Sequence, residues 1–292
     1  RRQRQMCIRD SYNYRLLASY GTGPMKKNWS AAFAVGKRWG SSGFQEGTFY
    51  DAQSLFVAVE KQWSKHCLNA TVIATPNRRG KSSPNTQEAY DLKGTKYNEY
   101  WGWQDGEKRN SRVKRVVEPI VILNHDWIID ENSSLETSIG FQFGEMGNSR
   151  LGYAGGSNPS PAYYQDLPSY FLADRNGPDY QGAYLAQENF INNGQINWNR
   201  IYDANITNNL ANINAAYVLY EDRVDDSQIT FNSAYLREIN DNIKISTSIN
   251  YRNLISDNFA EITDMLGGSG YSNIDSFDFL DYNLLSHLPN TF

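Results

Sequence analysis

Cysteine is nearly absent, with Cys7 and Cys67 the only two in 292 residues, too few for a disulfide framework or a thiolate metal site. Histidine is as sparse. His66, His125 and His287 lack the close spacing of a zinc motif, so neither a metal site nor a cofactor is expected. No apolar run approaches the about 18 residues of a spanning helix. That excludes helical membrane anchoring and says nothing against a β-barrel, whose signal is weaker per segment. Hydrophobic residues make up 40% of the chain, low for a soluble core of this size, and the formal charge of −4 argues against a general nucleic-acid binder. Arg1 to Ser11, RRQRQMCIRDS, lacks the apolar stretch of a signal peptide. It resembles translated adapter sequence and is set aside as non-native; a native basic arm is the alternative.

What is abundant is aromatic. Phe, Trp and Tyr reach 14%, with 20 Tyr, among many Asn, Ser and Gly. A barrel with one lipid face and one wet face fits this profile, as does a secreted sugar-binding sheet protein. The clearest pattern lies in Val117–Gly144. Leu135, Thr137, Ile139, Phe141 and Phe143 alternate with Ser134, Glu136, Ser138, Gly140 and Gln142, which predicts a strand with one apolar and one polar face. Asp130–Ser133 reads as its hairpin turn, and Pro119 sits near the loop end of the partner strand. Further strands are predicted at Tyr12–Tyr20, Asn28–Arg38, Ser54–Trp63, Leu68–Thr75, Gln228–Ile239 and Ile243–Arg252. The first and last of these are expected not to pair.

These strands are joined by links that alternate between short and long. A loop of about 40 residues follows Thr75-Pro76, and one of roughly 80 follows Gly144, uncommon in a compact domain. Helical pieces are predicted near Gly182–Asn192, Trp198–Ile206 and Asn258–Leu266. In an up-and-down sheet, alternate links share one end, so the short turns gather at one rim and the long loops at the other. Trp29, Trp63 and Trp127 fall near short turns, as an interfacial girdle would.

No catalytic residue is expected. Glu221-Asp222 and Asp225-Asp226 flank Arg223 without calcium-loop spacing, and read as an acidic loop end. Gly267-Gly268-Ser269-Gly270 lacks the lysine and the strand–helix context of a phosphate loop. Arg78-Arg79-Gly80-Lys81 reads as a solvated loop tip, or as a contact for anionic lipopolysaccharide or ligand. The loop Glu145–Ser227 concentrates Tyr153, Tyr163, Tyr164, Tyr170, Phe171, Tyr180 and Tyr184, a set that suits sugars, peptides or chelates or self-packing of the loop. Gln142, Asn232 and Asn250 fall on the polar strand face, and no single ligand-binding residue is singled out.

The segments Gly47–Asp51, Gln87–Asp91, Trp101–Arg112, Tyr163–Tyr170 and Tyr217–Asp222 resemble TonB-dependent receptors of Bacteroidota, of the type with a carboxypeptidase-regulatory-like domain ahead of the plug. The resemblance implies an all-β fold, an antiparallel meander that is an open slice of a plugged transmembrane barrel of about 22 strands. Residues 12–292 are then part of an outer-membrane nutrient transporter. The implied partners are outer-membrane lipid, the TonB complex through an absent N-terminal region, a small extracellular ligand and a lipoprotein, with no nucleic acid and no enzymatic activity. The alternative is a secreted β-rich protein that binds carbohydrate or hydrolyses glycosides. A carboxylate pair on adjacent strand ends lining a cleft would distinguish hydrolysis.

Overall fold

A computed structural model describes residues 13–173, 175, 177–240, 242–273 and 282–285. Arg1–Ser11, Tyr12, Cys7 and His287 lie outside these. The principal strands are β1 (Tyr14–Gly21), β2 (Trp29–Gly40), β3 (Tyr50–Trp63), β4 (His66–Ala74), β5 (Asn77–Gly80), β6 (Trp101–Gln104), β7 (Glu107–Asn110), β8 (Val113–Val117), β9 (Ile120–Asp130), β10 (Ser133–Tyr153), β11 (Tyr217–Asn240) and β12 (Ile243–Asp264). Two short strands follow, β13 (Gly270–Asn273) and β14 (Tyr282–Leu285). The helices are α1 (Gln87–Lys93), α2 (Pro168–Leu172), α3 (Tyr180–Asn193) and α4 (Trp198–Leu210).

The main sheet runs β1-β2-β3-β4-β9-β10-β11-β12, all antiparallel, with the tight turns after Gly21, Trp63, Asp130 and Asn240 at one end. Two of its strands are broken by proline. β3 pairs Leu55 with Ala74 of β4 and, in unchanged register, Ala52 with Asn77 of β5. Likewise β10 pairs Gln142 with Ile120 of β9 and Glu145 with Val117 of β8. Pro76 and Pro119 sit in the gaps and lack a donor, yet their carbonyls still accept from the N–H groups of Gln53 (2.9 Å) and Phe143 (3.3 Å). Pro119 thus interrupts a continuous strand and does not mark its loop end. Opposite this break Gly144 has φ +144°, and a Cβ there would meet the Val117 carbonyl oxygen at 1.9 Å.

Period-two alternation holds across the register. Phe33, Val57, Val72, Val121, Phe141 and Ile229 form one cross-sheet row. Ser30, Glu60, Asn69, Asn124, Ser138, Asn232 and Asn250 form a row on the other face. Phe33, Ile139, Phe141, Ile245 and Ile249 are exposed, so no second sheet packs over the apolar face among the described residues.

The all-β expectation is corrected. Among the described residues helix accounts for 16% and strand for 55%, a mixed α/β composition, and the main sheet is not closed into a barrel. The physical reason is that the long links are not loops. The first carries α1 and the β6–β7 hairpin, and the second carries α2, α3 and α4. Three of the helices have a side-chain cap, in which Thr86 accepts from the Ala89 N–H, Asp179 from Gly182, and Asn197 from Arg200, while α2 opens on Pro168 without one. One stripe of each long helix is buried, Ala183, Ala186 and Phe190 on α3, and Trp198, Ile201 and Asn205 on α4. These stripes make the core, which lies in a cap at the long-link end of the sheet. Trp198, Tyr97, Leu167, Leu266 and Val218 are its most deeply buried side chains.

A second correction concerns Asn258–Leu266, expected to be helical. Asn258–Asp264 instead completes β12, which is paired from Leu219–Asp264 down to Asn240–Ile243, and Met265 and Leu266 follow it. Arg223 on β11 fixes it there by bonding Glu261 (2.6 Å) and lying over the Phe259 ring at 5.5 Å.

Candidate functional site

Buried amides and one arginine hold the cap to the sheet. Asn205 is fully buried. Its Nδ2 donates to the carbonyls of Tyr217 (2.7 Å), Met265 (3.0 Å) and Leu266 (3.1 Å), and its Oδ1 accepts from the Tyr217 N–H (3.0 Å). Arg109 of β7 lies over the Trp198 ring at 4.4 Å and donates to Gln104 (2.7 Å), Tyr202 (3.1 Å) and Asp264 (2.6 Å). Hairpin, α4 and β12 are thereby tied at one point. The Asn110 side chain donates to the carbonyls of Gly47 and Lys81, both at 2.9 Å. Gly47, at φ +67°, leaves room for Trp101, which a Cβ would meet at 2.0 Å.

This frame shapes three adjoining cavities. The first, about 280 Å³, is lined by Ser157–Pro161, Asp166, Asn189, Asn193, Gln195, Asn197, Arg200 and Tyr217, a wall of amides and hydroxyls. The second, about 300 Å³, shares Asn158, Pro159 and Ser160 with it and adds Glu99, Tyr100, Arg112 and Tyr153. The third, about 460 Å³, shares Arg112, Leu151 and Tyr153 with the second and adds Arg150, Tyr220 and Tyr271. Together they form a groove with tyrosines and hydrogen-bonding groups along its length. Arg112 lies over Tyr100 at 5.2 Å and Arg150 over Tyr220 at 5.0 Å. Burial raises the Tyr220 and Tyr271 phenols above their ordinary range, so both act as neutral hydroxyls near neutrality.

An aromatic row starts at the groove's rim, where the Tyr163 N–H donates to the Ser160 carbonyl (3.2 Å). Tyr163, Tyr164, Tyr170 and Phe171 then meet edge to face, with centroids 4.8, 5.8 and 5.7 Å apart. Tyr164 is 58% and Tyr170 45% exposed, leaving ring faces free for a ligand.

No protein-family model matches the chain, and no curated protein does. The segments that resembled TonB-dependent receptors therefore carry no family membership. In the fold, Gln87–Asp91 lies in α1, Trp101–Arg112 covers the β6–β7 hairpin, and Tyr163–Tyr170 runs into α2. With a mixed α/β fold and an open sheet, the outer-membrane transporter reading, its lipid, TonB and lipoprotein partners and its outer-membrane placement are all set aside.

The other residues singled out in the sequence fall as follows. His66 and His125 are brought together by register, Nδ1 to Nε2 at 3.1 Å and stacked between planes 8° apart. No group of three or more metal-ligating side chains occurs among the described residues. Glu221, Asp222, Asp225 and Asp226 are not a loop end but lie within β11. Arg115 faces Glu221 at 3.7 Å, Arg150 faces Asp222 at 2.9 Å, and Arg223 bonds Asp225, Glu145 and Glu261. Gly267–Gly270 forms the turn between β12 and β13. Arg78-Arg79-Gly80 is strand β5 rather than a loop tip. Gln142, Asn232 and Asn250 lie away from the groove, in the sheet, where Asn232 bonds Asn250. Tyr153, Tyr163, Tyr164, Tyr170 and Phe171 do gather at the groove and its rim, whereas exposed Tyr180 and Tyr184 sit on α3. Sequence reasoning missed Tyr100, Tyr217, Tyr220, Tyr271, Arg112 and the amides Asn158, Asn189 and Asn193. Their shared signal is tyrosine and asparagine density in the long links.

Proposed function

We propose that this protein binds glycan chains in the cap groove and along the aromatic row, without hydrolysing them. The observation that carries the reading is the juxtaposition of exposed tyrosine faces with a groove walled by amides, hydroxyls and arginines. A sugar ring presents just these two needs: C–H faces that pack on aromatic rings, and hydroxyls that donate and accept in fixed directions. Three cavities in series suit a ligand of several linked rings better than a compact metabolite.

Binding without hydrolysis rests on the carboxylates of the neighbouring, larger cavity of about 910 Å³, which is lined by Glu107, Glu221 and Asp264. Glu221 and Asp264 occupy adjacent strands, the placement that a glycosidase pair would need. Each faces an arginine, Arg115 at 3.7 Å and Arg109 at 2.6 Å. Both carboxylates are thus engaged by guanidinium groups within the fold and are not aimed at a bound sugar.

Calorimetric titration with a panel of oligosaccharides tests the reading. Tyr164→Ala with Tyr170→Ala should weaken the binding of any recognised glycan by about tenfold or more, equivalent to about 1.4 kcal/mol, with an unchanged melting temperature. Undiminished affinity in the double variant would remove the aromatic row from the site.

A further inference from the structure

The strands β5 and β8 oppose cations directly, Arg78 with Arg115 and Arg79 with Lys114. Like charges facing each other across a ladder are destabilising. Alternation sends Arg78 and Arg115 to one side of this ribbon, and there the charge is answered. Arg115 bonds Glu145 and approaches Glu221, and Arg78 lies over the Phe49 ring at 5.2 Å.

On the other side alternation gathers Arg79, Lys81, Arg112 and Lys114, and there it is not answered. Arg79 and Lys114 have no carboxylate partner among the described residues. The Lys81 ammonium donates to the amide oxygen of Asn148, and the Arg112 guanidinium lies over Tyr100. Lys81 is pulled below the ordinary lysine range, first by desolvation and then by Lys114, Arg79 and Arg112. Asp222 opposes this weakly and is itself bonded to Arg150 at 2.9 Å. Four cations on one side of this ladder and the residue pair that follows it are a cost to the folded chain, in a molecule whose net charge is −4. Such local conflicts concentrate where a ligand resolves them. Of the four, Arg112 lines the second and third cavities of the groove, so the cationic face adjoins the glycan path there.

Building on the glycan-binding reading, we propose that the groove selects acidic glycans, whose carboxylate or sulfate groups dock on Arg79, Lys81, Arg112 and Lys114 while sugar rings lie along Tyr100 and Tyr153. Carboxylate and sulfate share the chemistry that matters, a compact anion met by forked or point cations.

The test compares size-matched oligosaccharides by calorimetry: a sulfated heparin fragment, an oligogalacturonate and a neutral malto-oligosaccharide, with oligo-dT as a non-sugar polyanion. The acidic sugars should bind at least about tenfold tighter than the neutral one, with affinity falling as salt rises. The two acidic arms show which anion is preferred. Arg79→Gln with Lys114→Gln should bring acidic affinity down to the neutral level and flatten the salt dependence. The same variant should melt at a higher temperature in low salt, because repulsion is relieved; a purely structural role for these cations predicts the opposite. Neutral sugars binding as tightly as acidic ones, or an unaffected double variant, overturns the acidic preference and leaves the glycan reading standing. Oligo-dT binding tighter than any sugar, or no sugar binding at all, overturns both.

Discussion

Replacing Asn205 with alanine removes one side chain that closes four hydrogen bonds at 2.7–3.1 Å in a fully buried position. The bonds join α4 to the first residue of β11 and to the two residues that follow β12. At about 1 kcal/mol net per bond the loss is on the order of 4 kcal/mol, reduced toward 2 where the cavity admits water to re-satisfy the freed groups. Asn205→Asp keeps the shape and is the sharper probe. It replaces the donating Nδ2 by an oxygen facing three carbonyl oxygens, so it should destabilise more than alanine does. Urea unfolding followed by tryptophan fluorescence reads both variants, since Trp198 is buried in the same cluster. Because Tyr217 lines the groove and its hydroxyl bonds the Ser157 carbonyl at 2.8 Å, glycan affinity should fall with stability. A loss below about 0.5 kcal/mol for alanine, the range of an ordinary surface change, or an aspartate milder than the alanine, would refute the clamp.

Two further perturbations follow from single groups. The Asp130 carboxylate accepts from the Asn132 N–H at 2.9 Å, and this bond, then one with Ser133, holds it below the ordinary carboxylate range. A depressed folded-state value contributes stability above the unfolded pKa of about 3.9 and loses it as pH falls through the folded value. Melting curves from pH 5 to pH 2 should therefore show Asp130→Asn approaching the parent at the acid end; a constant gap would refute the linkage. The Tyr97 hydroxyl is buried without a hydrogen-bond partner among the described residues, so Tyr97→Phe should be neutral or stabilising by up to about 1 kcal/mol. A clear loss of stability in urea titration would show that this hydroxyl is bonded.

Sequence alone determined the regular middle of the sheet and its hairpin turns. Period-two alternation in Leu135–Phe143 and Ile243–Tyr251 is a local property, visible in any short window, and so are turn residues such as Asn240-Asp241-Asn242. The two long helices were legible near Gly182–Asn192 and Trp198–Ile206 for the same reason. Where the strands end was decided by tertiary structure. Glu221-Asp-Arg-Val-Asp-Asp226 shows no apolar alternation and reads as loop, yet it is strand because Arg115 and Arg150 on other strands answer Glu221 and Asp222, and Arg223 within the segment answers Asp225. The breaks at Pro76 and Pro119 were visible as prolines, but only the unchanged register on both sides shows that each lies within one long strand. Long-range contact also assembled the groove, drawing Tyr100, Tyr153, Tyr217 and Tyr271 from four separate segments. The opposed cations of β5 and β8 are about 35 residues apart in the chain, and nothing short of pairing brings Arg79 to face Lys114.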